Sequence, residues 1–310
     1  MPGVRLMVRG AAGSGPEPGP GPEPFPRFAG PQGGRPRGVL ALDIDGTLLR
    51  SDGTVSPRNQ AAVARCLDAG IVVVLATGRT LVSASQYFRY WPGRPLWVIA
   101  GNGAVIRPSW SVRPLQERLI PLPLARELAR WADRERLYLK AYVDDRLFVS
   151  QVTEETLSFS RIHRVPYVRV HSLPEALHKK PTHMVIVDGP DRIARLWPEV
   201  QRLWGDKLEI TASTASSIEF CAPGVNKGAA LRWLVGTLGL GLEQVAAIGN
   251  ERNDLSMITW AGLGGAVGNA PPAVREAAGV VVGDHDADGV AEFIDLWMER
   301  LSQQSRGTGG

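Results

Sequence analysis

Asp43 and Asp45 stand two residues apart at the end of an apolar run, V-L-A-L-D-I-D-G-T-L-L over Val39–Leu49. Two residues apart on a strand, side chains share a face, so both carboxylates can address one pocket. Burying one carboxylate beside another costs several kcal/mol unless a cation or a shared proton offsets it, so a strand ending D-x-D asks for a metal. Further along stand Thr77 in A-T-G-R at 76–79, Lys227 in N-K-G at 226–228, and Asn250 and Asp254 in G-N-E-R-N-D at 249–254. Carboxylates with an amide oxygen suit a hard cation such as Mg²⁺. A hydroxyl and an ammonium suit phosphoryl oxygens, and a second carboxylate beside the first can move a proton. The combination specifies phosphoryl transfer to a carboxylate nucleophile. Taken singly, each residue has a plainer role: Thr77 as a helix cap, Lys227 as a solvated charge, Asn250, Asp254 and Asn102 as turn residues. What sets the plainer roles aside is that all four stretches stand at a strand end or an adjoining loop, where one edge of a parallel sheet can bring them together.

The elements that must position them alternate. Val39–Ile44, Ile71–Leu75, Leu96–Ala100 and Val245–Ile248 are short β-branched runs that read as buried parallel strands. Helices are expected between them, from Pro57 to about Ala69, over Leu81–Phe88, Ala229–Leu238 and Leu255–Ala261, with a last one at Val290–Leu301. Such alternation predicts an α/β fold with right-handed crossovers, in which the carboxyl ends of the strands lie on one edge where ligands bind. From Pro121 the texture changes: a helix at Leu122–Arg136, a hairpin turning at Asp144-Asp145, a strand at His183–Val187 and a helix at Asp191–Trp204. This reads as a separate α+β unit inserted at 121–213. The first fold then occupies 38–120 and 214–303, with Ser217–Cys221 resuming its sheet.

The chain has 310 residues, 44% hydrophobic and 21% charged, which describes a globular protein. The net charge of +4 is small and spread out, with no basic stripe interleaved with aromatics, which argues against a nucleic-acid partner. Cys66 and Cys221 lack metal-ligand spacing and read as reduced, packed thiols, so a cytoplasmic location is expected. No run approaches eighteen apolar residues, so no membrane span is expected. Residues 1–37, rich in Gly, Pro and Arg, lack the apolar segment of a secretory signal and are expected to be disordered; 304–310 are expected to be a flexible tail.

The set D-I-D-G-T at 43–47, A-T-G-R at 76–79, N-K-G at 226–228 and G-N-E-R-N-D at 249–254 resembles the haloacid dehalogenase superfamily, and most closely its Cof-type (subfamily IIB) phosphatases. N-G-A at 102–104, G-N-A at 268–270 and D-G-V-A at 288–291 match that group as well. The resemblance covers about Gly38–Leu301. It implies a Rossmann-like parallel sheet core with an inserted α/β cap, Mg²⁺ as cofactor, and a small phosphomonoester as substrate, such as a sugar phosphate or a phosphorylated cofactor or precursor. It further implies that Asp43 attacks phosphorus and that Asp45 protonates the leaving oxygen, then activates water. Thr77 and Gly78 would bind the transferred phosphoryl, Lys227 would neutralise it and Asp43, and Asn253 would support either. The metal would be held by Asp43, the Asp45 backbone carbonyl, Asn250 and Asp254. The family usually carries Asp where Asn250 stands, so one negative charge is missing from the expected metal site. Three rival readings share parts of this pattern: a phosphotransferase or mutase with the same nucleophile, a phospho-receiver domain, and a non-catalytic binding protein. Asp45 and the inserted unit oppose the receiver; intact Asp43, Asp45 and Lys227 oppose the binding protein.

Overall fold

The computed structural model describes residues 35–307; the expectations for residues 1–34 and 308–310 lie outside the described residues. Among the described residues, fourteen strands form two sheets. The first contains β1 (Gly38–Leu42), β2 (Ile71–Ala76), β3 (Leu96–Ala100), β4 (Val105–Pro108) and β5 (Gln116–Glu117). The second contains β6 (Leu139–Val143), β7 (Arg146–Val149), β8 (Tyr167–Arg169), β9 (His183–Val187), β10 (Glu209–Thr211) and β11 (Ser217–Cys221). The first sheet is completed by β12 (Val245–Gly249), β13 (Leu263–Ala266) and β14 (Val280–Val281).

The order of the first sheet is β14-β13-β12-β1-β2-β3-β4-β5, parallel from β14 to β3 and antiparallel beyond. Its central strands are apolar at every position because helices cover both faces. Leu40 and Leu42 pack toward Val63 of the helix Pro57–Asp68 and toward Phe293 and Trp297 of the last helix. Val39 and Ala41 pack the other way, with Leu231, Leu234 and Met257. The helix ends are set locally: Ser56 Oγ accepts Asn59 N–H at 3.0 Å ahead of Pro57, and Asn226 Oδ1 accepts Ala229 N–H at 2.8 Å ahead of the helix Lys227–Leu238.

The second sheet, β10-β11-β9-β6-β7-β8, is antiparallel except where β7 meets β8. The β6–β7 turn has Asp144 and Asp145 at φ +50° and +57°, the left-handed pair that a two-residue hairpin uses. Leu139, Ala141, Met184, Ile186, Ile218 and Phe220 point into an apolar layer with Leu128, Trp131, Val200 and Trp204 of the helices Leu122–Arg134 and Pro190–Trp204. The alternate residues Lys140, Tyr142, His183, Ser217 and Glu219 are buried on the opposite face.

Two boundaries are corrected. Ser217–Cys221, expected to resume the first sheet, lies between β10 and β9 in the second, so the inserted unit closes after Cys221 rather than at 213. Its S-I-E-F-C alternation sends Ile218 and Phe220 into one layer and Ser217 and Glu219 to the other face, as an antiparallel strand requires. The last helix runs Gly289–Gly307, so the chain is helical through the first part of the expected flexible tail. The helix Glu154–His163 was not anticipated, because its only buried residue is Thr156 and it carries little apolar periodicity. No helix among the described residues is long and apolar enough to cross a membrane.

Candidate active site

The expected residues converge at the carboxyl edge of the first sheet. β1 lies between β12 and β2, which is where the connections reverse direction, and Asp43, Thr77 and Asn250 directly follow those three strands. Beyond Asp43 the chain turns through Gly46 at φ +72°; a Cβ there would lie 2.5 Å from the Asn250 side chain, so the turn and the approach both require glycine.

Lys227 is fully buried and donates to Asp43 Oδ1 at 2.7 Å and to Asp254 Oδ1 at 2.6 Å. A buried ammonium between two carboxylates is held charged, and its pKa lies above the usual range. Burial and the neighbouring Asp254 push Asp43 up, to about 7, against the pull of Lys227. Lys227 is therefore not the solvated charge that its residue type alone suggests. Asp254 Oδ2 accepts the backbone N–H groups of Asn250 and Glu251, both at 2.9 Å. Its carboxylate fixes Lys227 and the loop that carries Asn250.

The Asn250 amide faces three oxygens. The amide atom on that side lies 3.1 Å from Thr47 Oγ1, 3.2 Å from Asp43 Oδ2 and 3.0 Å from the Asp45 carbonyl oxygen. With its NH₂ turned this way, the amide donates to these acceptors. With its Oδ1 turned this way, that oxygen lies 3.2 Å from Asp43 Oδ2 and 3.0 Å from the Asp45 carbonyl, close to the roughly 3 Å that separates neighbouring ligands on an ion with metal–oxygen bonds of about 2.0–2.1 Å. Asp43 Oδ2, the Asp45 carbonyl and the Asn250 amide oxygen are the donor chemistry that a hard cation takes, whereas both Asp254 oxygens are engaged by Lys227 and two backbone amides.

Asp45 opens onto the cavity, its side chain 51% exposed, and is held by Arg79 through paired bonds of 2.7 Å from Nε and 2.6 Å from Nη2. The cavity walls work to raise its pKa, but the Arg79 bonds outweigh them and hold it below the usual carboxylate range. Arg79 Nη1 donates to Ser83 Oγ at 3.1 Å, and the guanidinium lies over the Tyr87 ring. Thr77 is buried, and its Oγ1 accepts Arg79 N–H at 3.1 Å; the following helix is capped by Thr80 instead. At Gly78 a Cβ would lie 3.1 Å from Asn102 Oδ1, tighter than an ordinary contact, so an added side chain would displace Asn102 by a few tenths of an ångström.

A cavity of about 370 Å³ joins this edge to the polar face of the second sheet. Asn253 Nδ2 donates to Asn102 Oδ1 at 3.0 Å, and Asn102, in the left-handed region at φ 56°, donates to Glu219 Oε2. Glu219 also accepts from Ser213 Oγ and N–H, so one relay ties the two sheets together. Lys140 donates to Glu155 Oε1 at 2.7 Å and sits over the Phe159 ring. Tyr142 and His183 stack with centroids 4.1 Å apart. Burial, helped by the nearby Lys140 charge, pushes His183 down to about 3, while burial and Arg79 push His163 down to about 4, so both imidazoles are neutral near pH 7. Arg79, Lys140, Tyr142, His163, His183 and Glu219 all line the cavity and were not expected at a site. The signal available for the strand residues was alternation: K-A-Y at 140–142 and S-I-E at 217–219 place polar side chains on one face, and only the fold shows that this face is buried.

Comparison with known proteins agrees with this geometry. The sequence pattern of the haloacid dehalogenase-like hydrolases matches residues 40–294. Pyridoxal phosphate phosphatase YbhA of Escherichia coli (strain K12) is 28% identical over 266 residues, which is 83% of this chain and 97% of that protein. The 5-amino-6-(5-phospho-D-ribitylamino)uracil phosphatase YcsE of Bacillus subtilis (strain 168) is 29% identical over 265 residues, 84% of this chain and 95% of that protein. Among solved structures, a haloacid dehalogenase-like hydrolase from B. subtilis superposes with a TM-score of 0.76 at 25% identity, over 83% of this chain and 98% of that one. TM0651 from Thermotoga maritima superposes at 0.71 with 28% identity, over 83% and 96%. The chain belongs to the haloacid dehalogenase-like hydrolases, and within them to the Cof-type phosphatases.

Proposed function

We propose that this chain is a Mg²⁺-dependent, cytoplasmic phosphatase that hydrolyses a small phosphomonoester through an aspartyl-phosphate on Asp43. The observation that carries the reading is a buried carboxylate, Asp43, 2.7 Å from a buried ammonium, with a second carboxylate two residues on that is steered by an arginine at the cavity wall. The metal would be held by Asp43, the Asp45 carbonyl and Asn250, with Asp254 positioning Lys227 and the loop. When bound, Mg²⁺ neutralises charge on the nucleophile and on the phosphoryl group.

The remaining work falls to the chain's own groups. Lys227 pulls Asp43 toward its ionised form against burial and offsets the phosphoryl charge. Thr77, Gly78 and Asn253 line the cavity beside Asp43 and bind phosphoryl oxygens. Asp43 Oδ attacks phosphorus as the P–O bond to the leaving group breaks, and Asp45 donates its proton to that oxygen. Asp45 then takes a proton from water, which attacks phosphorus and frees Asp43 and inorganic phosphate. Because Arg79 favours the ionised form of Asp45, the acid step requires that this pair loosen as substrate enters, whereas the water-activating step is favoured by it.

The second sheet acts as a cap that excludes water and selects the leaving group. The relatives named above act on pyridoxal phosphate and on a phosphorylated ribitylaminouracil, which keeps a phosphorylated cofactor or precursor beside sugar phosphates as the substrate class. The test is release of inorganic phosphate by purified protein from a panel of such esters, with and without Mg²⁺. Turnover that requires the metal and is lost in Asp43→Asn supports the reading; undiminished release by Asp43→Asn overturns it.

A further inference from the structure

A second cavity, of about 500 Å³, meets the first at Asp45, Arg79 and His163. Its walls come from four parts of the chain: the loop after β1 (Arg50), the segment after Arg79 (Arg89), the end of the cap helix Glu154–His163 (His163, Arg164) and the turn that carries His285. Four arginines line it against a single carboxylate, Asp45, which Arg79 already pairs. The chain as a whole carries only +4, so this is a concentration of charge and not a sample of the average surface.

Some arginines elsewhere on the surface pair with acids, Arg65 with Asp295, Arg94 with Asp68 and Arg192 with Asp188. Arg89 has no carboxylate partner among the described residues and lies over the Tyr90 ring, 5.1 Å from its centroid. Arg164 likewise has none, and it occupies the left-handed position that ends the cap helix, at φ 55°. Arg50 pairs with Asp288 through Nη2 at 2.9 Å but keeps a buried Nε without an acceptor. Cations from separate segments that face one cavity repel each other unless an anion joins them. Guanidinium groups are the side chains suited to bind phosphate or carboxylate through paired bonds.

We propose that this vestibule is a second anion subsite, which holds a phosphate or carboxylate carried by the substrate's leaving group while the scissile phosphoryl rests against Asp43. The proposal rests on the phosphatase reading and narrows it: preferred substrates are phosphomonoesters with a second anionic group. The two cavities share Asp45, so a leaving oxygen at Asp45 can extend into either.

The experiment measures equilibrium binding by calorimetry on Asp43→Asn protein with Mg²⁺, where turnover cannot interfere. Fructose 1,6-bisphosphate is compared with fructose 6-phosphate, and 3-phosphoglycerate with glycerol 3-phosphate. Charge-assisted bonds to a second anion should tighten Kd by about tenfold in at least one pair, and the pair that gains identifies phosphate or carboxylate as the group recognised. Arg89→Gln combined with Arg164→Asn, which keeps the stem over Tyr90 and a residue tolerant of the left-handed position, should bring that pair to within about twofold. Equal Kd in both pairs, or a gain that survives the double substitution, overturns the subsite. The phosphatase reading fails separately, if wild-type protein releases no phosphate from any monoester.

Discussion

The edge of the first sheet and the buried face of the second carry similar chemistry in opposite ways. At the edge, Asp43, Thr77, Lys227 and Asn250 stand at strand ends and helix starts, where a turn ties residue types together over a few positions. On the cap face, Lys140, Tyr142, His183 and Glu219 sit at alternate positions of strands whose intervening residues are apolar. Charges at the edge are compensated internally, Lys227 by two carboxylates. Those on the cap face are compensated partly by the opposite unit, as where Glu219 accepts from Asn102. On the proposed function, the edge acts on phosphorus whatever the ester, and the cap face meets the part of the substrate that varies.

The sharpest way to break this contrast is to remove the nucleophile. Asp43→Asn should reduce turnover of every ester in a panel by at least about 10³-fold, with the fold retained by circular dichroism. An amide cannot form the acyl-phosphate, so a rate above a tenth of wild type for any ester would refute the assignment. The cap should respond differently. Lys140→Met removes the partner of Glu155 and the cation over Phe159, and kcat/KM should fall by about ten- to a hundredfold for the preferred ester while the ranking of the panel changes. If all esters fall by one common factor, Lys140 supports the fold and reads no leaving group.

How far the sequence could be read follows from the same contrast. The alternation of apolar runs and helices predicted the parallel sheet, and the motifs at its strand ends named the residues that gather at Asp43. Ser217–Cys221 was assigned to the wrong sheet because a five-residue strand carries no local mark of its neighbours, only of its alternation. Arg79 was passed over although it stands in a quoted motif, since nothing in A-T-G-R says that the guanidinium turns back toward Asp45. For the cap-face residues the sequence shows only alternation, as in K-A-Y at 140–142 and S-I-E at 217–219; that their polar side is buried over the cavity is visible in the fold alone.

A third test separates the two regions by acid. His183 is buried and pushed down to about 3, so between its ordinary value near 6.5 and that point the unfolded chain binds a proton that the folded chain refuses. Stability therefore falls as pH is lowered from about 6.5 toward 3, by roughly 3 kcal/mol at pH 4.5 from this residue alone. His183→Phe keeps a ring against Tyr142 and should flatten this part of the profile, read as the difference in urea midpoint between pH 7 and 4.5. Identical acid sensitivity in the two proteins would show that His183 takes up its proton without unfolding.

The smallest effect probes the one departure at the edge. In the absence of metal, the Asn250 NH₂ can donate to Asp43 Oδ2 and to the Asp45 carbonyl, at 3.2 and 3.0 Å. An aspartate in its place would set a charged oxygen against both, so Asn250→Asp should be less stable than wild type in chelator. With Mg²⁺ the same charge becomes a stronger ligand, because binding of this ion is mainly electrostatic. The Mg²⁺-induced rise in thermal midpoint should therefore be larger in Asn250→Asp than in wild type, since a ligand that binds only the folded state stabilises it in proportion to its affinity. The Mg²⁺ concentration for half-maximal rate should fall a few-fold. The added charge also repels a dianionic ester and can raise KM, so the metal titration is run at saturating substrate. A lower midpoint in chelator together with an unchanged Mg²⁺ response would mean that Asn250 keeps the carboxylates apart without facing the ion. An unchanged midpoint in both conditions would remove Asn250 from the oxygen group altogether.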